Sequence, residues 1–378
     1  MTDRVIRVLV VDDSAFMRMV LKDIIDSQPD MKVVGFAKDG LEAVEKAVEL
    51  KPDVITMDIE MPNLNGIEAL KLIMKKAPTR VIMVSSLTEE GAAITIEALR
   101  NGAVDFITKP HGSVSLTFRQ VAPELLEKIR QAMNVDPRTL TKGFKTYTKQ
   151  TRCEWENRGY RFLNRRPQIA RHDHSEPSKK LPSSKNKPAV SGKIVVIGSS
   201  TGGPRSLDMI IPNLPKNFPA PIVVVQHMPP GFTKSLAMRL DSTSELTVKE
   251  AEDGEEVKPG FVYIAPGDFH LGLKAQNGKV FFFLDKSDKI NNVRPSVDFT
   301  LDKAAEIYKS KTIAVILTGM GKDGTKGAFK VKFYGGTVIA EDKETCVVFG
   351  MPKSVIEEGY SDYVLPAYKI PEKLIELV

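Results

Sequence analysis

Short apolar runs alternate with segments of helical period over residues 1–133. VIRVLVV (Val5–Val11), MKVVGFA (Met31–Ala37), DVITMD (Asp53–Asp58), RVIMVSS (Arg80–Ser86) and VDFIT (Val104–Thr108) are rich in Val and Ile. Each is short enough for a buried parallel strand. Between them, Ala15–Ile25, Leu41–Leu50, Ile67–Met74 and Ala92–Leu99 carry apolar residues at i, i+3 and i+4, the spacing of one helix face. Repetition of this kind predicts an α/β domain over 1–133. Its sheet should be five-stranded, parallel and doubly wound, with ligands outside the strand carboxyl ends.

The period is lost over 134–190, where Pro, Ser, Asn, Lys and Arg accumulate towards SEPSKKLPSSKNKP. Low hydrophobicity with high charge cannot offset ordering entropy, so this segment reads as a flexible linker. Phe144, Tyr147, Trp155, Tyr160 and Phe162 sit among its basic residues, a pattern that also suits stacking on bases or docking on a partner. Alternation resumes over 191–378: KIVVIG, PIVVVQ, a Gly/Pro-punctuated stretch of hairpins through Leu284, a helix near Val297–Tyr308, TIAVILTG, a helix from Thr325, and GTVIA. A second α/β domain with a mostly parallel sheet is expected there.

Composition narrows the classes. At ~100–200 residues per domain, 378 residues suit two or three domains, and 42% hydrophobic with 27% charged residues is globular. No apolar run approaches the roughly 18–20 residues of a membrane helix, and MTDRVIRVLVVDDSAF is unlike a signal peptide. Cys153 and Cys346 form no disulfide framework and no metal-ligand spacing. A soluble, cytoplasmic protein is expected. The net charge of +6 misleads until it is localised: Asn134–Gly192 holds 14 Lys/Arg against 5 Asp/Glu, leaving 40 against 43 elsewhere. A nucleic-acid function would rest on the linker alone, which carries no helix-turn-helix pattern, so nucleic acid is not an expected partner.

Asp12 and Asp13 close the first expected strand, Asp58 the third, and Lys109 the fifth ahead of Pro110. In a doubly wound sheet these ends converge on one edge. Clustered carboxylates repel unless a cation lies between them, and oxygen ligands with room for water suit Mg²⁺. One carboxylate could then act as a nucleophile towards phosphorus. Helix capping explains one of the paired Asp residues but not the whole set. VLVVDDS, MDIEMPNLNG, the strand-end Ser85 and TKP closely resemble the receiver domain of bacterial response regulators. The resemblance implies Asp58 as phosphoacceptor, with Asp12, Asp13 and Asp58 at the metal. It also implies Ser85 at the hydroxyl position, Lys109 as the phosphoryl-contacting lysine and Phe106 at the aromatic switch position.

After KIVVIG, the run Gly198-Ser199-Ser200-Thr201-Gly202 fits G-x-S-x-G, a strand-to-helix turn whose small residues expose the central hydroxyl. Neither a P-loop nor G-x-G-x-x-G fits. A nucleophilic reading needs a base and an orienting acid. His227 ends PIVVVQ and His270 follows YIAPGDF; Asp323 lies in TGMGKDG just past TIAVILTG. Ser, His and Asp each follow a separate buried strand, so one sheet would gather them at one edge. Their chain order differs from that of the α/β-hydrolases, which argues against that fold.

IGSSTGGP, VVQHMPPGFT, YIAPGDFHL, LTGMGKDG and VVFGMP are together similar to the catalytic domain of the chemotaxis protein-glutamate methylesterases. The resemblance implies Ser200 as nucleophile, His227 as base and Asp323 as orienting acid. Thr201 and Met320 are implied as donors of backbone amides to an oxyanion hole, and Ser199 stands as a rival hydroxyl. It further implies hydrolysis of glutamate methyl esters, and deamidation of glutamines, on methyl-accepting chemotaxis receptors, with a chemotaxis histidine kinase as phosphodonor. Mg²⁺ is implied for phosphorylation, and no cofactor for the esterase. A DNA-binding regulator and a non-catalytic receiver adaptor are the alternatives.

Overall fold

The computed structural model describes residues 5–86, 88–109, 114–141 and 190–378. Most of the linker expected over 134–190, with its aromatic residues, lies outside them. Strands β1 (Ile6–Val11), β2 (Met31–Ala37), β3 (Val54–Asp58), β4 (Arg80–Ser85) and β5 (Asp105–Thr108) pair in parallel in the order β2-β1-β3-β4-β5. Helices α1 (Ala15–Asp26), α2 (Gly40–Leu50), α3 (Gly66–Lys76), α4 (Glu89–Arg100) and α5 (Val114–Ala132) connect and flank them. Local chemistry sets the helix starts. Ser14, Asp39, Asn65 and Thr88 each accept a backbone N–H at an N-terminus, and Asn65 with Glu68 forms a capping box. Strand order reverses between β1 and β3, so the crevice opens where Asp12, Asp13 and Asp58 stand.

The first unit extends beyond the expected boundary at 133. A short helix α6 (Pro137–Thr141) follows, with Val135 and Leu140 buried, and Arg80 Nε donates to Val135 O at 2.8 Å. Two buried apolar side chains with one half-buried hydrogen bond anchor a segment too short to show a helical period.

The second unit is built on a seven-stranded sheet in the order β14-β13-β12-β6-β7-β9-β8, in which every pair is parallel. These strands are β6 (Ile194–Ser199), β7 (Ile222–Gln226), β8 (Thr247–Glu250), β9 (Phe261–Ile264), β12 (Thr312–Ile316), β13 (Thr337–Glu341) and β14 (Tyr363–Leu365). The central β6, β7 and β12 are buried along their whole length, as their unbroken Val/Ile runs require. The expected hairpins reduce to one, β10 (His270–Gln276) with β11 (Lys279–Asp285), turned at Asn277-Gly278. β8 and β9 extend the parallel sheet instead, because the segment between them is a crossover rather than a tight turn. The flanking helices are α7 (Gly203–Ile210), α8 (Phe232–Asp241), α9 (Val297–Tyr308), α10 (Thr325–Phe333), α11 (Met351–Glu357) and α12 (Ile370–Leu377). Among the described residues no helix is long and apolar enough to cross a membrane.

Candidate functional site

The sheet edge of the first unit holds an acidic pocket of about 260 Å³, lined by Asp13, Asp58, Ile59, Glu60, Ser86 and Lys109. Oxygens of Asp12, Asp13 and Asp58 lie within 4.8 Å of one another. Asp12 Oδ1 accepts Ser14 N–H at 2.9 Å, while its buried Oδ2 accepts no hydrogen bond and meets Lys109 Nζ only as an ion pair at 3.3 Å. Lys109 Nζ donates to Asp58 Oδ2 at 2.7 Å. Burial pushes the Asp58 carboxyl up to about 6 and outweighs the Lys109 charge. Burial raises Asp12 in the same way.

Ser85, the expected strand-end hydroxyl, closes β4. Its hydroxyl is fully buried, accepts from Thr95 Oγ1 at 2.6 Å and faces Gly91 O at 3.3 Å, so it turns towards α4. Ser86, one residue beyond the strand, is the hydroxyl that lines the pocket.

In the second unit Ser200, His227 and Asp323 follow β6, β7 and β12, three adjacent strands. Backbone bonds fix their approach: Ser200 N–H to Thr318 O at 3.0 Å and His227 N–H to Ser199 O at 3.1 Å. His227 Nε2 bonds Asp323 Oδ2 at 2.8 Å, which leaves Nδ1 as the ring nitrogen available to a second group. Asp323 also accepts Val297 N–H at 2.7 Å and the Ser296 hydroxyl at 2.8 Å. Burial alone would raise its carboxyl; the His227 ring and these donors outweigh burial and hold it below the usual carboxylate range. Among the described residues, neither the Ser200 hydroxyl nor the backbone N–H groups of Thr201 and Met320 has a hydrogen-bond partner.

The rivals are already committed. Ser199 is fully buried and donates to Gln226 Oε1 at 2.7 Å. His270 is fully buried, accepting Ser296 N–H at Nδ1 and bonding Asp288 O at Nε2. Asp268, another acid near a strand end, is held by Arg294 at 2.6 Å.

The two units meet over this edge. Phe106, at the expected switch position, stacks on Phe232 with ring centroids 4.6 Å apart. Thr201 Oγ1 donates to Asp105 Oδ2, whose other oxygen pairs with Lys128 at 3.1 Å. Arg100 pairs with Asp208, and Glu89 with Lys234 at 3.0 Å, where α4 packs on α7 and α8.

Two family models match, one described as the response regulator receiver domain over residues 8–119, the other as CheB methylesterase over residues 195–374. A relative from Thermotoga maritima, named protein-glutamate methylesterase/protein-glutamine glutaminase, is 88% identical over 378 residues and covers 100% of both chains. The chain belongs to that methylesterase family. A relative of the same name from Pyrococcus abyssi is 47% identical, over 100% of this chain and 95% of its own. The solved catalytic domain of the Thermotoga maritima CheB methylesterase is 99% identical, covering 50% of this chain and 100% of its own, with a TM-score of 0.50.

Three groups at the methylesterase site escaped sequence reasoning. Gln226 is buried and donates to Ser200 O at 2.9 Å while accepting from Ser199, so one amide ties the Ser200 turn to β7. A lone Gln closing an all-apolar strand was the available signal. Thr318 accepts Val347 and Val348 N–H groups and donates to Thr201 O at 2.9 Å, joining three loops. Phe232 had no signal beyond being aromatic.

Proposed function

We propose that the chain is a phosphorylation-regulated hydrolase acting on glutamate methyl esters of chemoreceptors, with Ser200 as nucleophile. Three units follow: a receiver over 1–133 with 134–141 packed on it, a linker up to 190, and a catalytic domain over 191–378. The observation that carries the reading is the His227–Asp323 bond at 2.8 Å, with a Ser200 hydroxyl on the adjacent strand end that has no hydrogen-bond partner among the described residues. Ser200 Oγ attacks the ester carbonyl carbon as His227 Nδ1 takes its proton. Asp323 fixes the imidazole tautomer and stabilises the imidazolium. The tetrahedral oxyanion is met by the free N–H groups of Thr201 and Met320, each donor being worth on the order of 10²–10³ in rate. Collapse breaks the bond to the leaving oxygen, which leaves as methanol with the proton from His227. Water then attacks the acyl-enzyme by the same route, releasing the glutamate. Glutamine follows the same path with ammonia as leaving group, as the relatives' names suggest.

In the receiver, Asp58 is the nucleophile towards a phosphorylated histidine of a kinase. Asp12 Oδ2, which accepts no hydrogen bond, with the nearby oxygens of Asp13 and Asp58, fits a hard divalent cation, so these three residues would hold Mg²⁺. When bound, Mg²⁺ would neutralise negative charge on the phosphoryl oxygens. Lys109 is placed to contact the phosphoryl group. Phosphorylation adds roughly −1.5 to −2 charge at the strand ends. The receiver contacts at Thr201 and Phe232 support a covering role for the unphosphorylated receiver. Methanol release from methylated receptor by wild type and by Ser200→Ala tests the assignment: the variant should be silent, and comparable release would refute it.

A further inference from the structure

Asp323 and Asp298 lie at the starts of two adjacent helices, and each carboxylate caps the helix of the other. Asp323 stands just before α10, yet it accepts Val297 N–H at 2.7 Å and Asp298 N–H at 3.2 Å, the first turn of α9. Asp298 stands in that turn, and its Oδ1 accepts Gly324 N–H at 2.9 Å and Gly327 N–H at 2.8 Å at the start of α10. First-turn N–H groups have no partner within their own helix, so the exchange ties the position of either carboxylate to the other. The helices also approach closely: a Cβ on Gly327 would fall 2.5 Å from Leu301 Cβ.

Asn291 joins the pair. Its Nδ2 donates to Asp298 Oδ2 and to Asp323 Oδ1, both at 3.0 Å. Asn291 and Asn292 are left-handed, with φ 52° and 64°, between the bridged residues Ile290 and Val293. That is the two-residue turn with positive φ at both centres, where Asn is well tolerated. Burial and the Asp323 charge raise the Asp298 carboxyl, whereas Asp323 is held down. Negative charge therefore stays on the member that faces His227.

We propose that Asp298 and Asn291 are positioning residues for the hydrolysis, acting through Asp323 to hold its carboxylate in line with His227 Nε2. The proposal rests on Asp323 being the orienting acid. The test uses the full chain with Mg²⁺ and a small-molecule phosphodonor, following methanol release from methylated receptor. Because misplacing a catalytic group by ~1 Å can cost about 10²-fold, Asp298→Ala should lower kcat by about that factor with KM nearly unchanged. Asp298→Asn keeps an acceptor for Gly324 and Gly327 and should recover much of the loss. Asn291→Gly keeps the left-handed turn while deleting the clamp, and should lower kcat about tenfold by the same misplacement. The downfield proton resonance of the His227–Asp323 bond should broaden or shift in both damaged variants. Purely structural caps would lower the melting temperature and leave kcat and that resonance as in wild type, which overturns the proposal. Should Asp298→Ala fail to fold, Asn291→Gly decides alone by the same two readouts. Asp323→Asn separates the failures: if it is inactive while Asp298→Ala and Asn291→Gly are normal, only this proposal falls. An active Asp323→Asn removes the orienting-acid reading itself.

Discussion

Ser199 and Ser200 carry the same hydroxyl, but β6 ends between them. The first is spent on Gln226 inside the sheet, and the second stands beyond it without a partner among the described residues. Ser199→Ala should therefore keep most methanol release, while costing about 1–3 kcal/mol of stability because the buried Gln226 Oε1 loses its donor. The histidines divide in the same way. His270→Gln should keep substantial activity, because both ring nitrogens already serve the fold, whereas His227→Gln should lose orders of magnitude. Asp58 gives a pH test. Its carboxyl is raised to about 6, and only the carboxylate is nucleophilic. Without bound Mg²⁺ the Asp58 carboxyl should therefore take up a proton as pH drops through about 6, which a carboxyl-carbon NMR titration checks. A raised acid favours the folded state below its ordinary value, and that contribution is lost as pH rises through about 6. At pH 7 Asp58→Asn should then raise the unfolding midpoint while abolishing phosphorylation. Residue types at strand ends were legible from sequence. Which hydroxyl of the Ser85-Ser86 pair faces the pocket was not legible, because sequence places both at the strand end.

At the scale of elements, the Ser200 turn between β6 and α7 depends on backbone freedom. Gly202 has φ 81°, and a Cβ there would lie 2.5 Å from Val347 Cβ. Gly202→Ala should cost about 1–2 kcal/mol for the left-handed backbone alone, more with the clash, and should depress activity through displaced Ser200. Urea unfolding and methanol release on the same preparation check both halves. The central strands were readable because burial on both faces leaves unbroken Val/Ile runs. β8 and β9 were less so: short edge strands among Gly and Pro look like hairpins until their crossover is seen. α6 is too short for any period, and only Val135 and Leu140 packing on the first unit reveals it.

For the whole molecule, the order of the two units was legible and their docking was not. Phe106 with Phe232, Asp105 with Thr201 and Arg100 with Asp208 join residues far apart in sequence, and no periodic pattern marks such pairs. Thr201, held by Asp105, directly follows Ser200, which fits the proposed restraint of the hydrolase by the receiver. Asp105→Ala and Phe106→Ala should each raise basal methanol release from the unphosphorylated chain. The most direct measurement compares methanol release by residues 191–378 with that of the unphosphorylated full chain, each beside its Ser200→Ala counterpart. About 0.15 M salt suits it, since exposed charges beyond ~8 Å are then largely screened. The account requires a faster fragment and two silent Ser200→Ala proteins. A slower fragment, or release that survives Ser200→Ala, would contradict it.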